Sequence, residues 1–367
     1  MRHAVTEQVT GTDRCKKAIV DAASAEKKSQ LGQFMTPLGI ADFMASMFLN
    51  TAGRDVSLLD AGAGVGSLTS AFAMKTIEDG AASIRAMAWE IDAEMLGSLA
   101  ERFDDLAGKS RCRGIPFDYR IDHGDFINAA SRVILSRKVP GFTHAILNPP
   151  YKKINSASFH RQFLRMAGIE TGNLYSAFVA LSLLLLEDGG EMVAITPRSF
   201  CNGPYFRPFR QLLLKHAALH RVHVFDARDQ AFRGDDVLQE NIIFHMIKGG
   251  IQRSVMISTS TDASFSNIRK WETDFSEVVM PGDREAIFHL VTDESNVEMG
   301  RQMAAFTRTL EDLGIGVATG PVVDFRLKDH LRKCVDVGCV PLIYPLHFSL
   351  DVQVFPFLTV FSPVKQP

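Results

Sequence analysis

The sequence SLLDAGAGVG, residues 57–66, is the strongest structural signal in this chain. Its apolar start predicts a buried strand, and the following run SLTSAFAMKTI predicts a helix, so the glycines lie in the turn between them. A glycine-rich turn between a parallel strand and a helix lets a ligand approach the backbone closely. The dinucleotide fingerprint requires GxGxxG, but Ser67 stands where the third glycine would be. This departure weakens an interpretation as a dehydrogenase.

Strand-like apolar runs alternate with helical patterns between residues 57 and 248. The strand-like runs are SLLDA, SIRAMAWE, DYRID, THAIL, EMVAITP, HRVHVF and NIIFHMI. Seven strands with interleaved helices predict an α/β fold with a doubly wound, mostly parallel seven-stranded sheet. No helical pattern separates HRVHVF from NIIFHMI, so we expect these two strands to form an antiparallel hairpin at the edge of the sheet.

Composition limits the classes of function. The 367 residues include 40 Lys and Arg against 42 Asp and Glu, a net charge of −2. Because there is no overall positive field, any binding of nucleic acid must use a local basic surface. The five cysteines form no CxxC pair, and the first ten residues lack an apolar signal core. The apolar stretch 177–186 is far shorter than the ~20 residues that a membrane-spanning helix needs. We therefore expect a cytoplasmic protein with no membrane partner.

Acidic side chains follow the first three predicted strands. Asp60 would attract an ammonium group and repel a pyrophosphate, which favours S-adenosylmethionine as the ligand. Glu90 is placed to accept hydrogen bonds from two ribose hydroxyls, and Asp125 with Phe126 to bind an adenine amino group and its ring. Each feature alone is common in loops, but one ligand could contact all three strand ends. The predicted cofactor-binding residues of this region are Asp60, Gly62, Gly64, Glu90, Ile91, Asp125 and Phe126.

The tetrapeptide Asn148-Pro149-Pro150-Tyr151 follows the fourth predicted strand. Two prolines lack the N–H groups of a central strand, so they predict a stiff loop. The Asn148 side-chain oxygen and the Pro149 carbonyl could bind both hydrogens of an exocyclic amine and direct its lone pair at a methyl sulfonium. Tyr151 is expected to stack on an extruded base. A carbon-5 cytosine methylase would need a cysteine nucleophile, usually after proline, and no Pro-Cys dipeptide occurs.

Together these motifs resemble the amino-directed DNA methyltransferases, specifically the adenine-N6 group in which the cofactor motifs precede the catalytic motif. The resemblance implies a class I S-adenosylmethionine-dependent methyltransferase fold and methylation of adenine N6 in double-stranded DNA by base flipping. Residues 319–326 and 341–348 are most similar to PstI-type modification methylases of type II restriction systems. This similarity implies a cognate restriction endonuclease encoded separately.

The resemblance adds further site residues. LGQFMTP, residues 31–37, is similar to the family's N-terminal cofactor segment, which implies cofactor contacts for Gln33, Thr36 and Pro37. The family also implies that Asn148 contacts the cofactor, and GNLY, residues 172–175, is similar to the segment beside the cofactor adenine. The loop around Phe232 resembles the family's loop before the last strand, so Phe232 is the expected second aromatic on the extruded adenine.

Basic residues near the tetrapeptide could form a local phosphate-binding surface. The expected DNA contacts are Lys152, Lys153, Arg198 and Arg207, with Arg161, Arg165 and Arg210 in the same segments. Cys334 and Cys339, near His330 and His347, lie at the limit of zinc-ligand spacing, so we expect no metal site.

We expect three parts in the chain: an N-terminal helical extension over residues 1–30, a catalytic domain over 31–250 and a C-terminal extension over 251–367. The last part is expected to hold a small or truncated target-recognition region, because the resemblance fades after residue 348. It is also expected to contain helices around residues 283–290 and 297–313. Two alternatives stay open. One is an NPPY methyltransferase acting on RNA or on protein glutamine, and the other is an inactive truncated remnant.

Overall fold

The structure, a computed structural model, describes residues 36–225, 241–261 and 264–290, together with short pieces within 302–316, 328–332, 340–342 and 359–361. Contacts divide the chain into two units, Met1–Asn296 and Val297–Pro367. The domain limits expected at residues 30 and 250 stay a prediction.

Nine strands form a single sheet in the described part of the first unit. Their bounds are Asp55–Ala61 (β1), Ser83–Glu90 (β2), Phe117–His123 (β3), Phe142–Leu147 (β4), Leu186–Pro197 (β5), Ala217–Phe225 (β6), Asn241–Lys248 (β7), Val255–Ser260 (β8) and Arg269–Thr273 (β9). The spatial order is β3-β2-β1-β4-β5-β7-β6-β8-β9. The strands β1 to β5 pair with one another in parallel, β7 is antiparallel to both β5 and β6, and β8 is parallel to β6.

This topology confirms the doubly wound, mostly parallel class, but the expected count of seven strands is wrong. β8 pairs with the outer side of β6, and β9 pairs antiparallel with β8. The β6–β7 pair is antiparallel as predicted, yet β7 lies between β5 and β6 rather than at the edge. The physical reason is that β6 would otherwise present an unpaired row of N–H and C=O groups, which β8 pairs.

Eight α-helices in the described residues of this unit cover the sheet. Their bounds are Leu38–Ser46 (α1), Ser67–Asp79 (α2), Leu96–Cys112 (α3), Phe126–Ser136 (α4), Phe159–Met166 (α5), Leu174–Leu185 (α6), Arg207–His216 (α7) and Phe275–Val278 (α8). Apolar residues of α1, α2 and α3 form one core cluster, and those of α4 to α7 form another. None of the described helices is both long enough and apolar enough to span a membrane.

The helix expected around residues 283–290 is wrong. These residues form turns and extended backbone, and Ala286 has a φ of 51°, in the left-handed region that interrupts a helix. The N–H of Phe288 donates to the carbonyl of Cys201, and that of His289 to Val278. Most of the helix expected over 297–313 lies outside the described residues, of which 311–313 form a 3₁₀ turn.

The second unit is described only in short pieces. Three strands, Leu331–Arg332 (β10), Val340–Leu342 (β11) and Thr359–Phe361 (β12), form an antiparallel sheet with β12 in the centre. Residues 319–326 and 343–348, which carry much of the resemblance to PstI-type methylases, lie outside the described residues, as do Cys334 and Cys339. Within the described part of the chain, no group of three or more His, Cys, Asp or Glu side chains could hold a metal ion.

Candidate active site

The glycine turn joins β1 to α2 and has a left-handed backbone. Gly62, Gly64 and Gly66 have φ angles of 78°, 57° and 79°, which glycine adopts without steric cost. The N–H groups of Gly62 and Ala63 both donate to the carbonyl of Trp89, at 2.9 and 3.0 Å. The turn is therefore fastened to the end of β2.

Gly66 serves packing rather than ligand approach. A Cβ at this position would lie 2.8 Å from Leu99 Cδ1 and 3.2 Å from Phe103 Cε1, both in α3. By contrast, a Cβ at Gly62 or Gly64 would meet only side-chain atoms at 3.5 Å or more. The first two glycines line a cavity, whereas the third lets α3 pack closely against the turn.

Glu90 connects the glycine turn to the loop after β2. The residue is only 2% exposed. Its carboxylate accepts hydrogen bonds from the N–H of Gly64 and the N–H of Asp92, both at 2.7 Å. These bonds fix the carboxylate in the wall of the cavity, where the sequence predicted a ligand for ribose hydroxyls.

A cavity of about 210 Å³ lies beyond the carboxyl ends of β1 to β4. Its wall brings together many of the residues that the sequence singled out. These are Gly62, Gly64, Glu90, Ile91, Asp125, Phe126, Asn148, Pro150 and Lys152, with Leu174 of the GNLY segment. The sequence analysis missed Trp89, Met95, Gly124, Ile127, His160 and Phe178.

Aromatic rings form one side of this cavity. Phe126 is buried, with its ring centroid 5.5 Å from that of Trp89 and 5.1 Å from that of Phe178. Phe178 belongs to the apolar stretch 177–186, and an apolar stretch alone does not show which of its side chains reaches a cavity. Trp89 gave a better signal, because it directly precedes Glu90 in the strand.

Asp60 lies behind the glycine turn and is not among the described wall residues of the cavity. It is 1% exposed, and its Oδ2 accepts a hydrogen bond of 2.6 Å from the Thr69 hydroxyl. Burial raises the pKa of Asp60 to about 7, although the Thr69 hydroxyl acts in the opposite direction. Oδ1 has no hydrogen-bond partner among the described residues. A contact between Asp60 and an ammonium group stays a prediction.

The NPPY tetrapeptide leaves β4 and enters the cavity wall through Asn148 and Pro150, while Pro149 is buried. The Asn148 side-chain nitrogen donates to the Thr36 hydroxyl at 3.0 Å. The Tyr151 hydroxyl donates to Asn148 Oδ1 at 3.1 Å, and burial raises the pKa of this phenol. The Tyr151 ring contacts the Tyr175 ring edge-on, with centroids 6.2 Å apart. In this structure the Tyr151 hydroxyl therefore occupies Asn148 Oδ1, the oxygen expected to accept a hydrogen bond from the amine.

The remaining predicted cofactor residues lie upstream of β1. Thr36 reaches the site through its bond to Asn148. Pro37 is exposed directly before α1, and its carbonyl accepts from the N–H of Ala41. Gln33 and the predicted second aromatic, Phe232, lie outside the described residues.

The expected basic surface is only partly available for phosphate contacts. Lys152 lies in the cavity wall and Lys153 forms a backbone bridge with Asn173. Arg198 donates to the Leu290 carbonyl at 2.6 Å, and Arg207 pairs with Glu285 at 3.1 Å.

The expectation for Arg210 is wrong. Its side chain is 0% exposed, and it donates to the backbone carbonyls of Phe200, Asn202, Gly203 and Glu285. Arg210 therefore satisfies loop carbonyls inside the protein and cannot reach a DNA phosphate. Arg161 and Arg165 both pair with Glu170.

Comparison with known proteins identifies the family. Residues 95–232 match the family model of the Eco57I restriction-modification methylase. The chain is 40% identical to the type II methyltransferase M.PstI of Providencia stuartii over 353 residues, which cover 96% of this chain and 69% of that protein. This chain belongs to the type II methyltransferases. This methyltransferase is also 47% identical to M.BsuBI of Bacillus subtilis over 334 residues, which cover 88% of the chain and 64% of the relative. The chain thus spans about two thirds of the length of both relatives.

Solved structures support the fold of this type II methyltransferase. A modification subunit assigned to a type I restriction enzyme of Vibrio vulnificus matches with a TM-score of 0.53 at 13% identity, over 84% of this chain and 67% of that one. The type IIG restriction endonuclease BpuSI matches with a TM-score of 0.54 at 17% identity, over 75% and 34%. These likenesses concern the fold alone. They confirm the predicted α/β fold with a doubly wound, mostly parallel sheet, which this chain shares with these restriction-modification proteins.

Proposed function

We propose that this type II methyltransferase transfers a methyl group from S-adenosylmethionine to N6 of adenine in double-stranded DNA, after extrusion of the base. It would act as the modification enzyme of a restriction system whose endonuclease is encoded separately. One observation carries the proposal: Asn148 and Pro150 line the same cavity as Gly62 and Gly64. The expected amine-binding loop and the expected cofactor turn therefore face each other across a single space.

The chemistry of the cavity wall fits S-adenosylmethionine. The fixed carboxylate of Glu90 suits ribose hydroxyls, and the Asp125 carboxylate suits an adenine amino group. The faces of Phe126 and Phe178 suit an apolar ring. When bound there, the cofactor would supply an electrophilic methyl group.

The residues of the chain would orient and polarise the target amine. Thr36 accepts from the Asn148 nitrogen, which fixes the amide so that Oδ1 is the acceptor. In our proposal, one N–H of the adenine amine replaces the Tyr151 hydroxyl on this oxygen, and the Pro149 carbonyl accepts the other. Two acceptors localise the amine lone pair on nitrogen, so the main contributions to catalysis are positioning and electrostatics. The Tyr151 ring, released from Asn148, would stack on the base.

Double-stranded DNA is the proposed substrate because of the family. Both relatives are named as type II methyltransferases, and the matching family model is that of a restriction-modification methylase. The exposed side chains of Lys152 and Lys153 directly after the tetrapeptide could contact phosphates near the cavity. A local contact of this kind is consistent with the net charge of −2.

The test is to identify the methylated product. The full chain is incubated with methyl-labelled S-adenosylmethionine and genomic DNA, total RNA or a protein with an exposed glutamine loop, in separate reactions. Digestion of the DNA to nucleosides should release the label as N6-methyladenosine, the 2′-deoxy form, and the Asn148→Ala variant should give none. Label only in RNA or only in protein glutamine would refute the proposal in favour of the first alternative. No label in any substrate would favour an inactive remnant.

A further inference from the structure

The cavity contains an ion pair that the sequence did not indicate. His160 Nε2 donates to Asp125 Oδ2 at 2.5 Å, and both residues line the cavity. Asp125 is also the N-cap of α4, where its Oδ1 accepts from the N–H of Asn128 at 2.9 Å. Both oxygens of the carboxylate are therefore held by the protein, one from α4 and one from α5.

We propose that His160 is a positioning residue of the cofactor site, which holds the Asp125 carboxylate in the cavity wall and couples it to the segment that follows the NPPY tetrapeptide. This inference rests on the proposed function, because Asp125 is the proposed acceptor for the adenine amino group of S-adenosylmethionine.

The backbone shows why His160 can couple Asp125 to the segment that follows the NPPY tetrapeptide. Residues 152–174 leave the tetrapeptide and return beside it, since the N–H of Leu174 donates to the Lys152 carbonyl at 2.7 Å. The N–H of Ile154 donates to the Gly172 carbonyl at 2.7 Å, and Lys153 bridges to Asn173. The segment is closed at its base, and α5 lies within it and packs on α4.

The ion pairs of α5 have partners in two different parts of the structure. Arg161 and Arg165 both pair with Glu170, inside the same segment. His160 instead reaches Asp125 at the end of β3 and the start of α4. The first two pairs stabilise the segment itself, whereas the third joins it to the sheet.

The charges around the pair favour its ionised form. The hydrogen bond to Asp125 raises the pKa of His160, although partial burial acts in the opposite direction. Burial alone would raise the pKa of Asp125, but His160 and the N–H of Asn128 hold it below its usual value. Other charged groups nearby are Arg132 of α4, which lies over the Phe163 ring, the paired Arg161 of α5, and Lys152 and Glu90 in the cavity wall.

The pair predicts a pH dependence of cofactor binding. With His160 protonated, a charge-assisted hydrogen bond keeps Asp125 ionised and oriented. As the pH rises through the pKa of His160, the bond becomes a weaker neutral one, so the affinity for S-adenosylmethionine should fall. A residue needed only for folding would not produce this profile.

Calorimetric titration of the full chain with S-adenosylmethionine, between pH 6 and 9, tests the inference. We expect His160→Ala to weaken binding about tenfold at pH 6, where one hydrogen bond to a charged group is lost. His160→Gln, which keeps an N–H donor, should recover most of the affinity at pH 6 but lose the part of the pH dependence that His160 contributes. The part that remains would come from other groups, among them Asp60, whose pKa is about 7. Gln162→Ala, at an exposed position of the same helix, is the matched control and should behave as the wild type.

The outcomes separate this inference from the proposed function. If His160→Ala binds within about twofold of the wild type, or if His160→Gln keeps the wild-type pH profile, the positioning role is refuted and the proposed function stands. If the wild-type chain binds no S-adenosylmethionine, the proposed function is refuted and this inference with it. Should His160→Ala fail to fold, the pH profile of His160→Gln decides.

Discussion

Two sets of ionisable side chains on one sheet differ in their surroundings: one set lines the cavity, and the other is packed between strands and helices. Glu90 is the last residue of β2 and Asp125 follows β3; both line the cavity, and both carboxylates accept hydrogen bonds from backbone N–H donors. A second set, the His–Glu cluster of His144, Glu191, His245 and His220, lies within strands β4, β5, β7 and β6. There Glu191 Oε2 accepts from His245 Nε2 and from the N–H of Leu49, both at 2.9 Å, and His220 contacts His245 at 3.0 Å.

A shifted pKa does not by itself indicate a reactive group. Burial lowers the pKa of His144 to about 4, and the hydrogen bond from His245 helps to hold the pKa of Glu191 below its usual value against burial. Yet Phe48 lies edge-on against both His144 and His245, which closes the cluster on that side. We infer that the cluster stabilises the fold, whereas the cavity groups serve binding and chemistry.

The largest expected effect on stability comes from removing the shared carboxylate of the cluster. Glu191→Ala leaves buried polar partners uncompensated, so the free energy of unfolding should fall by about 3–5 kcal/mol. Urea denaturation measures this change, with Glu187→Ala, an exposed residue of the same strand, expected within about 0.5 kcal/mol of the wild type. If the two variants lost equal stability, the assignment of the cluster as structural would be wrong.

The cluster should also make stability depend on pH. His144 has a folded pKa of about 4, below its ordinary value of 6.5, so the unfolded chain binds more protons between these values. Stability should therefore be full above about pH 6.5 and fall as the pH decreases towards 4, by roughly 3 kcal/mol for this residue. Glu191, whose pKa is also lowered, adds a loss in the same direction below about pH 4.5.

Denaturation at pH 7 and pH 5 checks this slope. In His144→Gln the stability difference between the two pH values should be smaller, because the Gln side chain does not titrate. An unchanged slope in that variant would assign the pH dependence to other groups.

Substitution of the third glycine of the turn, Gly66, should have a smaller effect on the free energy of unfolding. Gly66→Ala places a methyl group 2.8 Å from Leu99 in addition to the strain at a φ of 79°, and should cost about 1–3 kcal/mol. Gly53→Ala is the matched control, since Gly53 has a φ of 68° with no atom within 4 Å of the added Cβ. Equal losses in urea denaturation would mean that backbone strain, and not the contact with α3, explains Gly66.

The smallest expected effect concerns the hydroxyl on the proposed amine acceptor. Tyr151→Phe removes one hydrogen bond to Asn148 but keeps the ring, so the rate of methyl transfer should change by about fivefold or less. Tyr151→Ala removes the ring too, and stacking worth ~1–3 kcal/mol predicts a loss of up to roughly a hundredfold. Single-turnover rates compare the variants. Equal losses in both would show that the hydroxyl, not the ring, is what matters.

The sequence predicted the cavity better than the cluster for a geometric reason. The carboxyl ends of parallel strands meet at one edge, so the order of the motifs was enough to bring Gly62, Glu90 and Asn148 together. The cluster depends on register: His144 lies opposite Glu191 in β4 and β5, and His245 reaches Glu191 from β7. Strand register across long connections is not visible in a single sequence.

His160, Arg210 and β8 show other limits. The sequence analysis did not predict the helix Phe159–Met166, and the sequence does not show that His160 of this helix pairs with Asp125. Arg210 has the sequence context of a surface cation. In the structure its guanidinium is buried and donates to backbone carbonyls of the surrounding loops, which would otherwise lack hydrogen-bond partners. The seven predicted strands did not include β8, Val255–Ser260, because its pairing depends on which edge of β6 is open, and a single sequence does not show this.

We propose that the main role of the Asn148 amide is to bind the amine that is methylated, beyond its hydrogen bonds to Thr36 and Tyr151. The most direct test of this role compares the Asn148→Ala variant with the wild type in single-turnover methyl transfer, cofactor affinity and urea denaturation. We expect a loss of rate of about a thousandfold with a cofactor Kd within about threefold. The free energy of unfolding should fall by only about 1–2 kcal/mol, because the amide loses its hydrogen bonds with Thr36 and Tyr151. A variant that still transfers methyl groups within about tenfold of the wild-type rate would contradict this role.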